Sequence, residues 1–296
     1  MRAPLAREGA VSRSARRLRR SRGEVVSDTR AIETGTPEVL CRIEARVGVI
    51  TLNRPDAKNA LTMEMKRALH RLVPELGANP DVGCVLLTGA GGAFCAGGDT
   101  KRMASEGRPP SPEDRKRQLR WEHETPRALH RLAKPTIAAL PGPAAGAGFA
   151  LALACDLRVM AASAFATTAY ARLGLSGDYG ASWFLTRLLG PARAREVMFL
   201  GERLSAADCD RLGLANRVLA DAGFAEAALD YAKRIAAGPP IALRYMKDNL
   251  NRALTDSLES VLDIEAERMV QGAGTEDYEE AVKAFAEKRA PVFKGR

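Results

Sequence analysis

A chain of 296 residues, 46% of them hydrophobic, is long enough to bury one large core. No apolar run approaches the roughly 18 residues that a membrane-spanning helix requires, so we do not expect a membrane protein. The formal net charge of +9 would suit a nucleic-acid-binding protein if it were spread over one surface.

Most of this charge lies at the start of the chain. Residues 1–22 contain eight arginines and the single acid Glu8, a charge of +7, which leaves about +2 for the rest. The body of the chain is therefore close to neutral, as in an enzyme for small molecules. Nucleic-acid binding would depend on the first segment alone, and we do not expect it.

The basic segment, residues 1–36, is rich in Arg and Ser and poor in acids, as mitochondrial transit peptides are. A disordered extension, or a gene start placed too far upstream in a high-GC bacterium, explains the same composition, and we favour this interpretation. The expected location is then the bacterial cytoplasm. The mitochondrial matrix is the alternative if the segment is a transit peptide.

The five cysteines are scattered, and none forms a C-x-x-C pair. This spacing predicts neither a zinc site nor a disulfide framework. We therefore expect reduced thiols and no bound metal.

The first predicted elements are a strand and a helix. Val47–Leu52 is rich in β-branched residues, which favours a strand. Thr62 should cap the helix that follows, because apolar residues then recur every three or four positions. Pro74 should bend or shorten this helix. His70 lies beside the apolar face and is interpreted as a solvated residue.

Two glycine-rich segments carry the strongest signal. In the first, the apolar residues 82–87 predict a buried strand, and the glycines of residues 89–98 let the backbone approach a ligand. In the second, the strand Thr136–Leu140 leads to glycines at 146 and 148 and a wholly apolar helix over 149–154. A helix start carries unpaired N–H groups and a partial positive charge. Two such donors converging would form an oxyanion hole.

The rest of the chain changes from alternating strands and helices to helices alone. In order, it predicts a strand at 156–161, a strand and loop at 164–175, a helix at 182–189, a capping box at 205–208, and helices from 224 onward that break at 238–240 and 272–274. No strand signal follows Val218. This pattern predicts a core over residues 37–230 and a helical region over residues 231–296.

Several segments together resemble the crotonase family, also called the enoyl-CoA hydratase/isomerase superfamily. The similar segments are residues 50–61, 93–99, 138–156, 173–180, 206–216 and 287–293. They occur in the family's order from about residue 38 to the end. The resemblance implies an α/β fold, a crotonase-type ββα spiral core with a helical C-terminal trimerisation region, and a homotrimer or hexamer.

The resemblance also implies an acyl-CoA thioester as the substrate, with no cofactor beyond its coenzyme A moiety. The thioester oxygen would lie between the N–H groups of Gly98 and Ala147. The variable region 101–126 would cover the acyl chain, with Trp121 and its neighbours in the pocket. The residues implied for coenzyme A are Ala96 near the adenine, Lys58 near the phosphates, and Phe285 and Lys288 from a neighbouring subunit.

The sequence departs from the hydratases of this family at the catalytic acids. Hydratases carry two glutamates, whose positions fall on Ala150 and Tyr170. Asp178 is the remaining candidate and is similar in position to the single aspartate of the epoxyphenylacetyl-CoA and enoyl-CoA isomerases. One carboxylate suffices to move a proton between two carbons. Alternatively, Asp178 only caps the helix that includes Trp183.

Further interpretations stay open. Tyr170 would either donate a hydrogen bond or fill the space of the missing acid, and Asp99 would stabilise its loop by accepting N–H bonds. A hydratase could recruit Glu122 or Glu124 from the variable region. A protein of another class, a non-catalytic acyl-CoA binder or an RNA-binding homologue with a basic tail, is the remaining alternative.

Overall fold

The computed structural model describes residues 29–99 and 111–296. The basic segment up to residue 28, and the part of the variable region at 100–110, lie outside the described residues. The strands of the described chain are β1 (Arg30–Ile32), β2 (Val39–Glu44), β3 (Val47–Leu52), β4 (Cys84–Gly89), β5 (Thr136–Leu140), β6 (Ala144–Ala145), β7 (Leu157–Ala161), β8 (Phe165–Thr167), β9 (Leu204–Ser205) and β10 (Arg217–Leu219).

Among the described residues, seven strands form one mixed sheet in the order β1-β2-β3-β4-β5-β7-β10. β1, β2 and β3 pair antiparallel, and the strands from β3 to β10 pair parallel. The central strands are nearly continuous apolar runs, as expected for parallel strands that are covered on both faces. β6, β8 and β9 form a smaller sheet beside the second glycine-rich segment.

Helices pack on these sheets and then dominate the end of the chain. They are α1 (Met63–Ala78), α2 (Pro112–Glu122), α3 (Glu124–Arg131), α4 (Ala147–Ala154), α5 (Ala181–Leu200), α6 (Ala206–Arg211), α7 (Phe224–Ala236), α8 (Pro240–Arg252), α9 (Leu258–Ala273) and α10 (Glu276–Ala286). Strand–helix alternation followed by helices is the α/β organisation that the sequence predicted.

Helix α1 begins where the sequence indicated. The Thr62 hydroxyl accepts a hydrogen bond from the N–H of Met65, and the apolar face is buried. The helix continues past Pro74 to Ala78 and is not shortened there. His70 is not simply solvated: its ring stacks on Trp121 at 5.0 Å, and its Nδ1 is buried without a hydrogen-bond partner in the described chain.

In two later helices, nearby residues in the sequence determine a kink or the first residue of the helix. The predicted helix at 182–189 belongs to α5, which is kinked at Gly190 (φ +73°), just before Pro191, and then continues to Leu200. The capping box at the start of α6 is present, because the Ser205 hydroxyl and the Asp208 carboxylate bond each other's backbone N–H. Both the Gly-Pro kink and the capping box depend on residues that are close together in the chain.

The predicted domain boundaries differ from the structure at two points. β1 lies within residues 1–36, where the sequence predicted an extension, and it pairs with β2 at the sheet edge. α7 crosses the predicted boundary at residue 230 and packs on the sheet, with Ala228, Ala232 and Ala236 in the core. The sheet's apolar face needs this cover, so the core reaches at least Ala236.

The helices after α7 expose apolar side chains that the core does not use. A groove of about 740 Å³ lies among α8, α9 and α10. The exposed fraction is 77% for Met269 and 87% for Phe285. Such exposure is typical of surfaces that contact another chain. Among the described residues, no helix is both long and apolar enough to cross a membrane.

Glycines allow the two glycine-rich segments to touch. A Cβ at Gly148, in α4, would lie 2.4 Å from the carbonyl oxygen of Cys95 and 2.7 Å from its Sγ. A Cβ at Gly142 would lie 2.0 Å from the carbonyl oxygen of Gly92. Gly142 and Gly148 therefore permit close packing of the two segments.

We predict that Gly148→Ala lowers the free energy of unfolding by about 1–3 kcal/mol, because the added methyl group overpacks the contact with Cys95. The backbone around Cys95 must move away from α4 to accommodate the methyl group. Gly272→Ala is the matched control, since a Cβ there meets no atom within 4 Å and the helix favours alanine. Chemical denaturation of both variants is the measurement. Equal stability of Gly148→Ala and the wild type would contradict the prediction.

Candidate active site

The two predicted oxyanion donors lie on backbone segments in direct contact. The N–H of Ala145 donates to the carbonyl of Cys95 at 2.9 Å. A Cβ at Gly97 would lie only 3.3 Å from the backbone nitrogen of Ala147. The structure therefore brings Gly98, the next residue, and Ala147 to neighbouring segments.

The N–H groups of these two residues have no acceptor in the described protein. Ala147 is the first residue of α4, and Gly146 before it has φ +51° and provides no side-chain cap. The first N–H groups of a helix have no partner within it. Within residues 29–99 and 111–296, neither the N–H of Gly98 nor that of Ala147 donates a hydrogen bond. Such amides are suited to a developing negative oxygen.

Two buried side chains support the first segment, and sequence reasoning missed both. Asn59 is fully buried and donates through Nδ2 to the carbonyls of Ala90 and Ala93. The Sγ of Cys95 lies 3.1 Å from the Asn59 carbonyl and 3.4 Å from the N–H of Gly97. Burial raises the pKa of the Cys95 thiol to about 12, so the thiol stays protonated. Asn59 adopts a φ of +57°, a left-handed conformation that Asn tolerates better than most residues.

Asp178 lies on the loop before α5, and one of its carboxylate oxygens contacts two nitrogen atoms. Its Oδ1 lies 2.5 Å from Nε2 of His123 and 2.9 Å from the N–H of Tyr179. The alternative of helix capping is wrong, because the N-cap of α5 is Gly180 and no side chain caps that helix. The Asp178 side chain keeps about a quarter of its surface exposed.

Tyr170 lies between Asp178 and the backbone at Gly146, the residue before Ala147. Its hydroxyl donates to the backbone carbonyl of Asp178 at 3.2 Å, and its ring lies 3.9 Å from the position of a Cβ at Gly146. Burial raises the pKa of Tyr170, and the negative charge of Asp178 adds to this effect, so the phenol remains a donor. The predicted base and the predicted amides therefore share one region of the fold.

Three comparisons with known proteins agree on the family. The family model described as enoyl-CoA hydratase/isomerase matches residues 42–296. The 1,2-epoxyphenylacetyl-CoA isomerase of Escherichia coli is 36% identical over 87% of this chain and 98% of that protein. The short-chain-enoyl-CoA hydratase of Clostridium acetobutylicum is 32% identical over 85% of this chain and 95% of that protein.

The fold comparison gives the same result. The crystal structure of an enoyl-CoA hydratase from Polaromonas sp. JS666 superposes with a TM-score of 0.82 at 35% identity, covering 86% of this chain and 99% of that one. The chain belongs to the enoyl-CoA hydratase/isomerase family. The expected crotonase fold with a helical C-terminal region is thereby confirmed.

The two positions that the resemblance assigns to the hydratase glutamates hold no acid in this chain. Ala150 is fully buried within α4, and Tyr170 is buried beside Asp178. Neither can exchange a proton as a carboxylate does. The assignment of these two positions to the hydratase glutamates stays a prediction.

Glu122 and Glu124, the acids considered for a hydratase, are both engaged elsewhere. Glu122 is 3% exposed and pairs with Nζ of Lys66 at 2.8 Å. The Tyr179 hydroxyl also lies 3.3 Å from its Oε2. Glu124 pairs with Arg127 on the exposed side of α3. Among the described residues, neither carboxylate has a recorded hydrogen bond or ion pair with Asp178.

The predicted pocket residue Trp121 lies on α2 with its ring stacked on His70 of α1. The contacts of the described chain do not bring it to Asp178. His123, one of the neighbours that the resemblance grouped with Trp121, is the residue that reaches Asp178. The role of Trp121 in the pocket stays a prediction.

The residues predicted to bind coenzyme A fall into two groups. Ala96 is exposed, and its N–H donates to the carbonyl of Lys58 at 2.9 Å, so these two residues are neighbours. Phe285 lies near the end of α10, and Lys288 follows that helix with φ +55°. Their assignment to a coenzyme A site in a neighbouring subunit stays a prediction.

Asp99 has a partner that the sequence did not indicate, and its acceptance of local N–H bonds stays a prediction. Its Oδ2 accepts a hydrogen bond from Nη1 of Arg54 at 2.7 Å. The same Arg54 nitrogen donates to the carbonyl of Ala60. This ion pair connects the end of the first segment to the turn after β3.

Proposed function

We propose that the protein isomerises an unsaturated acyl-CoA by moving a proton between two carbons through Asp178. The observation that carries the proposal is the position of the Asp178 carboxylate. Tyr170 donates a hydrogen bond to the backbone of Asp178, and its ring lies beside Gly146, next to the free N–H of Ala147. The other acids considered, Glu122 and Glu124, are held in ion pairs.

The proposed reaction has two proton transfers. Asp178 removes a proton from the carbon next to the thioester carbonyl, and the electrons move onto the carbonyl oxygen. The N–H groups of Gly98 and Ala147 stabilise this enolate oxygen, and one such donor typically contributes about 100- to 1000-fold in rate. Asp178 then returns the proton at the other end of the conjugated system, so the double bond moves and the carboxylate is regenerated.

The relatives support the acyl-CoA class, and they include both reaction types. The E. coli relative is named as an isomerase, and the C. acetobutylicum relative as a hydratase. Hydration usually needs one group to activate water and another to protonate carbon. The loss of both hydratase acids at Ala150 and Tyr170 favours isomerisation.

The remaining features of the proposal concern binding. We propose that Ala96 and Lys58 contact the coenzyme A moiety, with Phe285 and Lys288 contributed by another subunit of a homotrimer or hexamer. The exposed apolar groove among α8, α9 and α10 supports contact between copies of the chain. No cofactor beyond the substrate's coenzyme A is required for this reaction.

The test is turnover of the purified protein on 3-enoyl-CoA and 2-enoyl-CoA substrates of the same chain length. We expect interconversion of the double-bond isomers and negligible formation of 3-hydroxyacyl-CoA, because one carboxylate moves a proton but does not also activate water. Separation of the products by chromatography distinguishes the two reactions. Rapid hydration of the 2-enoyl substrate would overturn the proposal in favour of a hydratase.

A further inference from the structure

Glu122 and His123, at the end of α2, contact the adjacent residues Tyr179 and Asp178 on the loop before α5. Glu122, the last residue of α2, lies 3.3 Å from the hydroxyl of Tyr179, and His123 lies 2.5 Å from the carboxylate of Asp178. The His123 ring also packs edge-on against the Tyr179 ring, with centroids 5.8 Å apart. The end of α2 therefore fixes both the side chain of the candidate base and that of its neighbour.

The two oxygens of Asp178 are in different situations. Oδ1 accepts from both Nε2 of His123 and the N–H of Tyr179, whereas Oδ2 has no hydrogen-bond partner in the described chain. A carboxylate that acts as a base only accepts hydrogen bonds, so the proposed role of Asp178 requires the proton of this contact on Nε2 of His123. A base with one oxygen occupied by two donors can exchange a proton with a substrate only through the other.

We propose that His123 is a positioning residue that reserves Oδ2 of Asp178 for proton transfer. This inference depends on the proposed isomerase function for its catalytic consequence, but the contact itself does not. Without the His123 donor, the carboxylate could rotate about its side-chain bonds and present either oxygen. Misplacement of a catalytic group by about 1 Å can cost about 100-fold in rate.

The buried contacts of Glu122 hold the end of α2, and with it His123, in place beside Tyr179 and Asp178. Its carboxylate accepts from Lys66 at 2.8 Å and from Gln118 at 3.0 Å, and the Glu122 side chain is 2% exposed. Tyr179 has φ +55°, a conformation that a tyrosine rarely adopts. The hydroxyl contact with Glu122 holds the Tyr179 ring, and its backbone N–H then points at Oδ1 of Asp178.

The catalytic test compares His123→Gln with His123→Leu in the full-length protein. Gln retains an N–H donor at about the reach of Nε2, whereas Leu has similar bulk and no donor. We expect His123→Leu to lower kcat by about 10- to 100-fold with KM changed less than about threefold, and His123→Gln to recover most of the loss. Equal kcat values for the two variants, or a change confined to KM, would overturn the proposal.

A spectroscopic test separates this proposal from the proposed function. The chain has three histidines, so selective ¹⁵N labelling of histidine gives few imidazole signals to assign. We expect one N–H proton shifted downfield by the short contact to Asp178, absent in both His123→Gln and Asp178→Ala. If this signal is present but no isomerisation occurs, only the proposed function fails. If it is missing from the wild type, the positioning proposal fails whatever the activity.

Discussion

Replacing Asp178 with Asn should lower kcat for isomerisation by about 100- to 10,000-fold, the range that one general acid–base group contributes. Asn cannot accept and return a proton at this step, yet it has nearly the same shape and can still accept the N–H of Tyr179. KM for the acyl-CoA should change little, because the binding contacts proposed for coenzyme A lie on the segment around Ala96. The measurement is steady-state turnover of the 3-enoyl substrate.

The exposed Asp210 provides a matched control, since Asp210→Asn makes the same chemical change on the surface at the end of α6. That variant should keep wild-type kcat. Thermal unfolding of Asp178→Asn should show a folded protein, because this carboxylate does not cap α5. Retention of full activity by folded Asp178→Asn would remove Asp178 from the mechanism.

Replacing Lys66 with Met should lower the free energy of unfolding by about 3 kcal/mol. Lys66 and Glu122 are both at least nine-tenths buried, and their charged atoms are 2.8 Å apart. Removing one partner of a buried pair leaves the other charge uncompensated, which typically costs about 3–5 kcal/mol. Nη1 of Arg115 lies 3.5 Å from Glu122 and offsets part of this loss, so we expect the lower end.

The double variant Lys66→Met/Glu122→Gln is the control for this effect. It removes both charges and keeps the shapes of the side chains, so its stability should return to within about 1 kcal/mol of the wild type. Denaturant unfolding of the two single variants and the double variant gives the coupling energy directly. If the double variant is as unstable as the sum of the single variants, the pair does not interact as the structure indicates.

The glycine-rich segments could be predicted from sequence because their signal is local. Gly146 and Gly148 follow a strand and precede an apolar helix, and the structure has the helix starting at Ala147. The cap at Thr62 and the capping box at Ser205 are local in the same way, since the donor and acceptor lie three residues apart. Chain connectivity alone brings such groups together.

The contact between His123 and Asp178 could not be predicted from local sequence. His123 is 55 residues from Asp178 along the chain, and nothing in either segment specifies the other as a partner. The same holds for Lys66 and Glu122, which are 56 residues apart and which the sequence did not indicate as partners. Their burial depends on how α1 and α2 pack, and packing is a property of the whole core.

The sequence by itself indicated the family, the change from alternating strands and helices to helices alone, and the two glycine-rich segments, and it predicted Asp178 as the single acid. Only the tertiary structure decided that Asp178 bonds His123 rather than capping α5, that Glu122 is neutralised in a buried ion pair, and that α7 belongs to the core. The first group depends on short-range patterns of glycine, apolar and capping residues. The second depends on side chains far apart in sequence, whose contacts exist only once the hydrophobic core has placed their helices and loops against each other.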